Sequence, residues 1–184
     1  MIHFLIKTVY FWLIGFFLAI LEIQIEGKHG WAEKLPTWRP KPGSKLEKLF
    51  KKLVAERELT GYHTVLMIFL LLFAHLPFIW NWSWSIYAEL ELLAIYMMFV
   101  VFWDFLWFVL NPAYSLRTFG RQTVWWHKKW WGKFPKDYYT TILIGLLLLL
   151  PEALNSGNWY KMIILLGGNL VLTIITILFY PRAY

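Results

Sequence analysis

The chain contains no cysteine among its 184 residues. This absence excludes disulfide bonds, thiolate metal sites and thiol-based catalysis, and it leaves the redox state of the compartment open. Acidic residues are also scarce, since 11 Asp and Glu stand against 18 Lys and Arg, for a formal net charge of +7. An excess of positive charge indicates an anionic partner, and the position of the basic residues decides between nucleic acid and lipid headgroups.

The signatures of several enzyme classes are absent as well. The sequence has no Walker A motif and no dinucleotide-binding glycine fingerprint, so we expect no nucleotide cofactor. It also lacks clustered histidine boxes and the motifs Asp-Asp-x-x-Asp, His-Glu-x-x-His and Gly-x-Ser-x-Gly. No motif that reads nucleic acid is present, so we expect no nucleic-acid partner.

Apolar residues are what the chain has in abundance. Hydrophobic residues make up 59% of the sequence and aromatic residues 21%, with a mean hydropathy of +0.51, which is far outside the range of soluble domains. Five apolar runs are each near the roughly 20 residues that a helix needs to cross the hydrocarbon core of a bilayer. The sequence therefore predicts an all-α integral membrane protein, a single polytopic domain over residues 1–184, with spans at about 2–21, 62–80, 86–110, 138–154 and 159–180.

Two of these spans carry an alternative interpretation. The first run could resemble a signal peptide, but it lacks a small-residue cleavage site, so we expect it to remain as a helix. The fourth run is short, and Pro151 ends its apolar stretch. A re-entrant or tilted segment is therefore an alternative to a full fourth span.

The connections between the spans differ sharply in charge. Nine Lys or Arg lie within residues 22–61 and six within 111–137, whereas 81–85 and 155–158 contain none. The positive-inside rule therefore predicts that both long connections are cytoplasmic. We expect a protein of the cytoplasmic membrane with its N-terminus on the outer side and its C-terminus on the cytoplasmic side.

The first long connection contains an amphipathic segment at about 45–60. Ser44 and Glu47 have the spacing of a capping box, and Gly61 is expected to end the helix. A leucine-rich stripe flanked by basic residues is typical of a helix that lies on an anionic leaflet, although a solvated helix packed on the protein itself is the alternative. Tryptophan and lysine alternate again at 125–133. We expect membrane lipids with anionic headgroups as partners, contacted by Lys48, Lys51, Lys52, Trp126, Lys128, Lys129 and Trp130.

Six metal-capable side chains come from four separate stretches, and the predicted topology puts them at one membrane level. Asp104 is an acid inside an apolar span, where a charge needs a partner or a polar cavity. Carboxylates and imidazoles together favour Zn, Mn or Fe over copper(I). The predicted ligand pool is Glu22, Glu26, His29, His63, Asp104 and His127.

The spacing around Glu26 gives partial support to that ligand pool. Glu26 and His29 form a Glu-x-x-His spacing, which carboxylate-bridged two-metal bundles use on a helix, but only one copy is present. Gly27 and Gly30 would end the helix and undo its shared face.

The resulting prediction is a membrane-embedded metalloprotein with a site at the cytoplasmic interface. In its enzymatic form the metal activates water or dioxygen against a lipid-soluble substrate, and this form requires a cavity open to lipid beside the site. The alternative is a non-catalytic small membrane subunit or transporter-like module, whose acids carry protons or form ion pairs. The basic partners considered for Glu22 and Glu26 are Lys28, Lys34, Arg39 and Arg117.

Overall fold

The prediction of five long apolar helices is confirmed. The computed structural model describes residues 1–53, 57–81 and 83–180. Helices long and apolar enough to cross a membrane lie at Ile2–Glu26, Gly61–Asn81, Ile86–Leu110, Lys136–Ser156 and Tyr160–Phe179. We name Ile2–Glu26 α1, Ile86–Leu110 α5, Lys136–Ser156 α6 and Tyr160–Phe179 α7.

The second of these spans consists of two helices. Helix α3 covers Gly61–Ala74 and helix α4 covers Leu76–Asn81, with His75 between them. Pro77 explains the restart, because proline lacks a backbone N–H and its ring clashes with the carbonyl one turn earlier in a continuous helix. Proline is tolerated within the first turn of α4, where no such carbonyl precedes it.

Helix α5 forms the centre of the bundle. It packs against α1, α6 and α7, and it is the most buried of the five spans. Its aromatic side chains fill the core, with Phe99 stacked on Trp103 at 5.6 Å between ring centroids. Gly15 of α1 faces this aromatic pair, since a Cβ added there would lie 3.4 Å from Phe99 and from Trp103. Apart from Glu89, Glu91 and Asp104, α5 carries mainly apolar residues on all sides, which suits a position surrounded by other helices.

Helix α6 is continuous from Lys136 to Ser156 and includes Pro151. The fourth apolar run is thus longer than the predicted 138–154 and gives one helix of 21 residues. Helix α1 also exceeds its predicted end at residue 21, because Glu22 to Glu26 continue the helix up to Gly27. This extension places both glutamates on helical backbone.

The amphipathic helix is shorter than predicted. Helix α2 covers Lys45–Leu53, and Arg57–Thr60 are not helical, while residues 54–56 of the predicted helix lie outside the described residues. Ser44 Oγ accepts from the Glu47 N–H at 3.2 Å, as the capping pattern predicted, and the Glu47 carboxylate accepts from the Gly43 N–H at 2.5 Å. The predicted stop at Gly61 is wrong: Gly61 begins α3, with Thr60 as its N-cap.

Both basic connections lie at the same end of the bundle, which we call the loop end. Asn111 Nδ2 donates to the Gly27 carbonyl at 2.8 Å, and the Tyr114 hydroxyl donates to the Lys28 carbonyl at 2.6 Å. The second connection contains a small antiparallel hairpin, β1 (Trp130–Trp131) and β2 (Phe134–Pro135), which the all-helical prediction did not include. Gly132, with φ of 55°, forms its turn.

Candidate metal site

The last turn of α1 presents two buried carboxylates. Glu22 and Glu26 are four residues apart, so they lie on the same helix face, and each is only 6% exposed. The helix ends at Gly27, whose φ of 62° belongs to the left-handed region that favours glycine. His29 therefore leaves the shared face.

The segment after α1 folds back over its end through a run of left-handed backbone. Gly30, Trp31 and Ala32 have φ of 58°, 48° and 52°, and two of these residues are not glycine. At Trp31 and Ala32, which are not glycine, such backbone costs of the order of 1–3 kcal/mol per residue and persists only where the surroundings hold it. Here the Ala32 N–H donates to Glu26 Oε1, and Arg39 donates to the Ala32 carbonyl at 2.7 Å. The strained segment thus covers the acidic pair.

His63 reaches the acidic pair from the first turn of α3. Thr60 caps this helix by accepting the His63 N–H at 3.3 Å, and its Oγ1 lies 2.8 Å from His63 Nδ1. The other ring nitrogen, Nε2, points to the acids, at 3.4 Å from Glu22 Oε1 and 3.6 Å from Glu26 Oε1. Trp31 stacks on the imidazole at 4.0 Å between centroids and fixes its plane.

The spacing of these donors suits a shared metal ion. One oxygen or nitrogen from each of Glu22, Glu26 and His63 lies within 4.8 Å of the others. Tetrahedral ligands with bonds of about 2.0–2.1 Å are roughly 3.3–3.4 Å apart, close to the distances from Nε2 to both carboxylates. The Thr60 hydroxyl can hold the imidazole so that Nε2 carries the lone pair, which is the usual role of a group behind a histidine ligand.

The charge of this acidic pair is not balanced by a basic side chain within the described residues. No Lys or Arg there forms an ion pair with Glu22 or Glu26, and Glu22 Oε1 is buried without a hydrogen-bond partner. The ion pairs of Glu22 and Glu26 within the described residues are with His63, and Arg39, which the ion-pair alternative considered, pairs with Glu58 at 3.2 Å. Two desolvated carboxylates whose oxygens lie within 4.8 Å of each other require a cation or a proton.

A second buried cluster, which we call the Arg57 cluster, lies beside the acidic pair and already contains its cation. Arg57 Nη2 is 2.8 Å from Asp137 and 3.4 Å from Asp104, and it lies within 2.7 Å of both ring nitrogens of His127. His127 also bridges the acids, at 2.9 Å from Asp104 and 3.1 Å from Asp137. The Tyr138 hydroxyl donates to Asp104.

The two clusters share Trp31 as a wall. The Arg57 guanidinium lies over the Trp31 ring at 4.7 Å, while the same residue stacks on His63. An arginine over an indole ring is a favourable cation–π arrangement. The indole N–H of Trp31 donates to the Glu58 carbonyl at 2.9 Å, which holds the segment around Arg57 against Trp31.

The structure thus divides the predicted ligand pool into three parts. It brings Glu22, Glu26 and His63 together, and it places Asp104 and His127 in the Arg57 cluster. His29 pairs with Glu33 at 3.1 Å on the surface. Sequence reasoning missed Tyr138 as a partner of Asp104, and it missed Asp137 as a partner of Arg57 and His127. Both residues lie in the first turn of α6, at or next to the start of the predicted span.

The residues predicted to contact headgroups also divide. Trp126 and Trp130 are buried at 4% and 7% exposure, so their indole rings pack within the protein. The Trp126 ring packs closely against the backbone of Gly30, since a Cβ added to Gly30 would lie 2.7 Å from that ring. The exposed members of the set are Lys48, Lys51, Lys52, Lys128 and Lys129.

Comparisons of the chain with models of protein families, with curated proteins and with solved structures returned no match.

Proposed function

We propose that this chain is a membrane-embedded protein that binds one divalent transition-metal ion, Zn, Mn or Fe, through Glu22, Glu26 and His63. The observation that carries the proposal is the contrast between two adjacent buried acid–histidine clusters. In one, Arg57 supplies the positive charge. In the other, no described Lys or Arg supplies it, and Glu22 Oε1 has no hydrogen-bond partner among the described residues. Oxygen and imidazole donors suit these three metals.

The test is the metal content of purified protein and of matched variants. Protein prepared without added metal should contain close to one equivalent by element-specific X-ray fluorescence. Glu26→Gln and His63→Ala should each lower this content by about tenfold or more, since each removes a donor. The matched controls are Glu33→Gln and His29→Ala, which change the same residue types in the exposed pair outside the site. They should retain the metal.

Acid should release the metal from wild-type protein, because histidine ligates only in its neutral form. Wild-type protein that binds none of the three ions, even after incubation with each, would end the proposal. The acidic pair would then be a site that holds a proton, as in the non-catalytic alternative.

The enzymatic form is a second candidate, and the number of donors favours it. Three side-chain donors leave a position for water, as in catalytic rather than structural zinc sites. An apolar cavity of about 460 Å³ between α5, α6 and α7 reaches Tyr138 of the Arg57 cluster, but Glu22, Glu26 and His63 do not line it, so it is not the cavity beside the metal that this form requires. Protein loaded with Co²⁺ should shift its visible absorption when azide is added. An unchanged spectrum would mean that no exchangeable position exists.

A further inference from the structure

An open cavity of about 860 Å³ lies at the loop end, apart from the metal site. It is formed by the segment 116–123, the β1–β2 hairpin and Phe105 of α5. We call it the basic cavity. Glu22, Glu26 and His63 do not line it, so whatever it holds is separate from the proposed metal.

Three basic side chains line the basic cavity. Arg117, Arg121 and Lys133 are exposed, and none of them forms an ion pair with a carboxylate of the described residues. None of the described residues that line the cavity is acidic. This separates the basic cavity from the Arg57 cluster, where each charge already has a buried partner.

The floor of the basic cavity is aromatic. Phe119 contacts Phe105, Trp130 and Phe134 with ring centroids 5.3, 5.4 and 5.8 Å apart. The contacts with Phe105 and Trp130 are edge-to-face and the contact with Phe134 is tilted, and such aromatic pairs hold each ring in place. A cavity with an apolar floor and a cationic rim suits an anion that carries an apolar or planar portion.

Ordered backbone positions the basic groups. Ser115 and Thr118 form a reciprocal capping box around the short 3-10 turn Leu116–Thr118, which carries Arg117. Arg121 donates to the Trp130 carbonyl at 3.4 Å, so it is tied to the hairpin. The Gly132 turn of that hairpin brings Lys133 to the same rim. The rim is therefore built before any ligand arrives.

We propose that the basic cavity binds the phosphate group of an anionic ligand. Guanidinium groups present paired donors that match phosphate oxygens, and an ammonium group adds a point charge. Thr118, Gln122 and Thr123 line the same cavity and can donate further hydrogen bonds to phosphate oxygens. The phosphate can come from a lipid headgroup or from a free phosphate compound, because both offer the same oxygens.

The experiment measures two probes on the full chain in detergent. Inorganic phosphate is titrated by calorimetry after dialysis into phosphate-free buffer, and retained phosphatidylglycerol is compared with phosphatidylcholine by native mass spectrometry. The test variant is Arg117→Gln/Arg121→Gln. The control variant is Lys34→Gln/Lys41→Gln, which removes the same charge from exposed positions outside the basic cavity.

Wild-type protein should bind at least one probe, and the test variant should bind it about tenfold or more weakly, while the control variant stays within about twofold. Binding of inorganic phosphate would support a free phosphate compound. Selective retention of phosphatidylglycerol without phosphate binding would support a lipid headgroup. No binding of either probe, or equal loss in both variants, would overturn the proposal. All four positions are exposed, and equal elution volumes would confirm that both variants fold.

Discussion

Arg57 supplies the only described arginine or lysine contact of two half-buried acids that belong to different helices. Its guanidinium contacts Asp104 of α5 and Asp137 of α6, and it is itself 7% exposed. Removing one partner of a buried ionic cluster is costly, because the remaining charges keep their desolvation penalty without its compensation. This residue is therefore expected to matter for folding more than any surface arginine of the chain.

We predict that Arg57→Met lowers the free energy of unfolding by about 3 kcal/mol or more. Thermal unfolding of the protein in detergent measures the effect, and Arg117→Met, at an exposed position, serves as the control. Adding Asp137→Asn to Arg57→Met should restore part of the loss, since one stranded charge is removed. Equal melting temperatures for wild type and Arg57→Met would show that the cluster does not stabilise the fold.

Glu22 and Asp104 show that a carboxylate in the same kind of span can have different roles. Both are acids near the loop end of a helix in the central bundle, and both lie close to a histidine. The difference is the arginine, which reaches Asp104 and does not reach Glu22. The chemistry of each acid therefore depends on a neighbour that is distant in the sequence.

Helix α2 is an element whose own sequence accounts for it. Ser44 and Glu47 cap its start, and Lys51 pairs with Glu47 at 2.5 Å one turn later. Hydrogen bonds from Lys51 and from the Gly43 N–H lower the pKa of the Glu47 carboxyl, so the cap stays ionised to a lower pH than an ordinary glutamate would. Leu46 and Leu49 remain exposed on its surface at 49% and 56%.

We propose that α2 binds an anionic leaflet, and we predict that a peptide of residues 43–60 gains helicity with anionic vesicles. Exposed leucines supply the apolar contact, and the flanking lysines supply an attraction of roughly 1 kcal/mol each near the surface. Circular dichroism with phosphatidylglycerol vesicles measures the gain, and rising salt should reduce it. Equal binding to neutral vesicles at every salt concentration would contradict the electrostatic part.

The whole molecule has two unlike ends, and this asymmetry can be tested directly. Both basic connections meet at the loop end, while Lys7, Glu91 and Lys161 form an ion-paired group at the other. We predict that the loop end is cytoplasmic, because the basic residues concentrate there.

Single cysteines in this cysteine-free chain test the orientation. Two of the chosen positions, Lys41 and Gln122, are exposed at the loop end. The other two, Ser83 and Ser156, are exposed at the opposite end. An impermeant maleimide added to intact cells should label the cysteines at Ser83 and Ser156 only. Labelling at position 41 or 122 would reverse the assignment. Permeabilised cells, in which all four should react, control for accessibility.

The five spans and the common end of the basic connections were predictable from the sequence. Apolar length and the alternation of charge follow the chain in order, so no knowledge of the packing is needed. The start of α2 was predictable for the same reason, because a cap involves residues only a few positions apart. The stop expected at Gly61 was wrong, because Gly61 begins the next helix with Thr60 as its N-cap.

The membership of the candidate site depended on the tertiary structure. The sequence put six candidate ligands at one depth in the membrane. Many side chains lie at that depth, and the direction in which each one points decides which of them meet. Gly27 turns the chain so that His29 faces outward, and Arg57 folds back from a connection to reach Asp104. Long-range contacts of this kind leave no periodic trace in the sequence. Hydropathy therefore determined which segments are apolar spans, whereas the packing of loops over helix ends determined which acids lie beside an arginine and which do not.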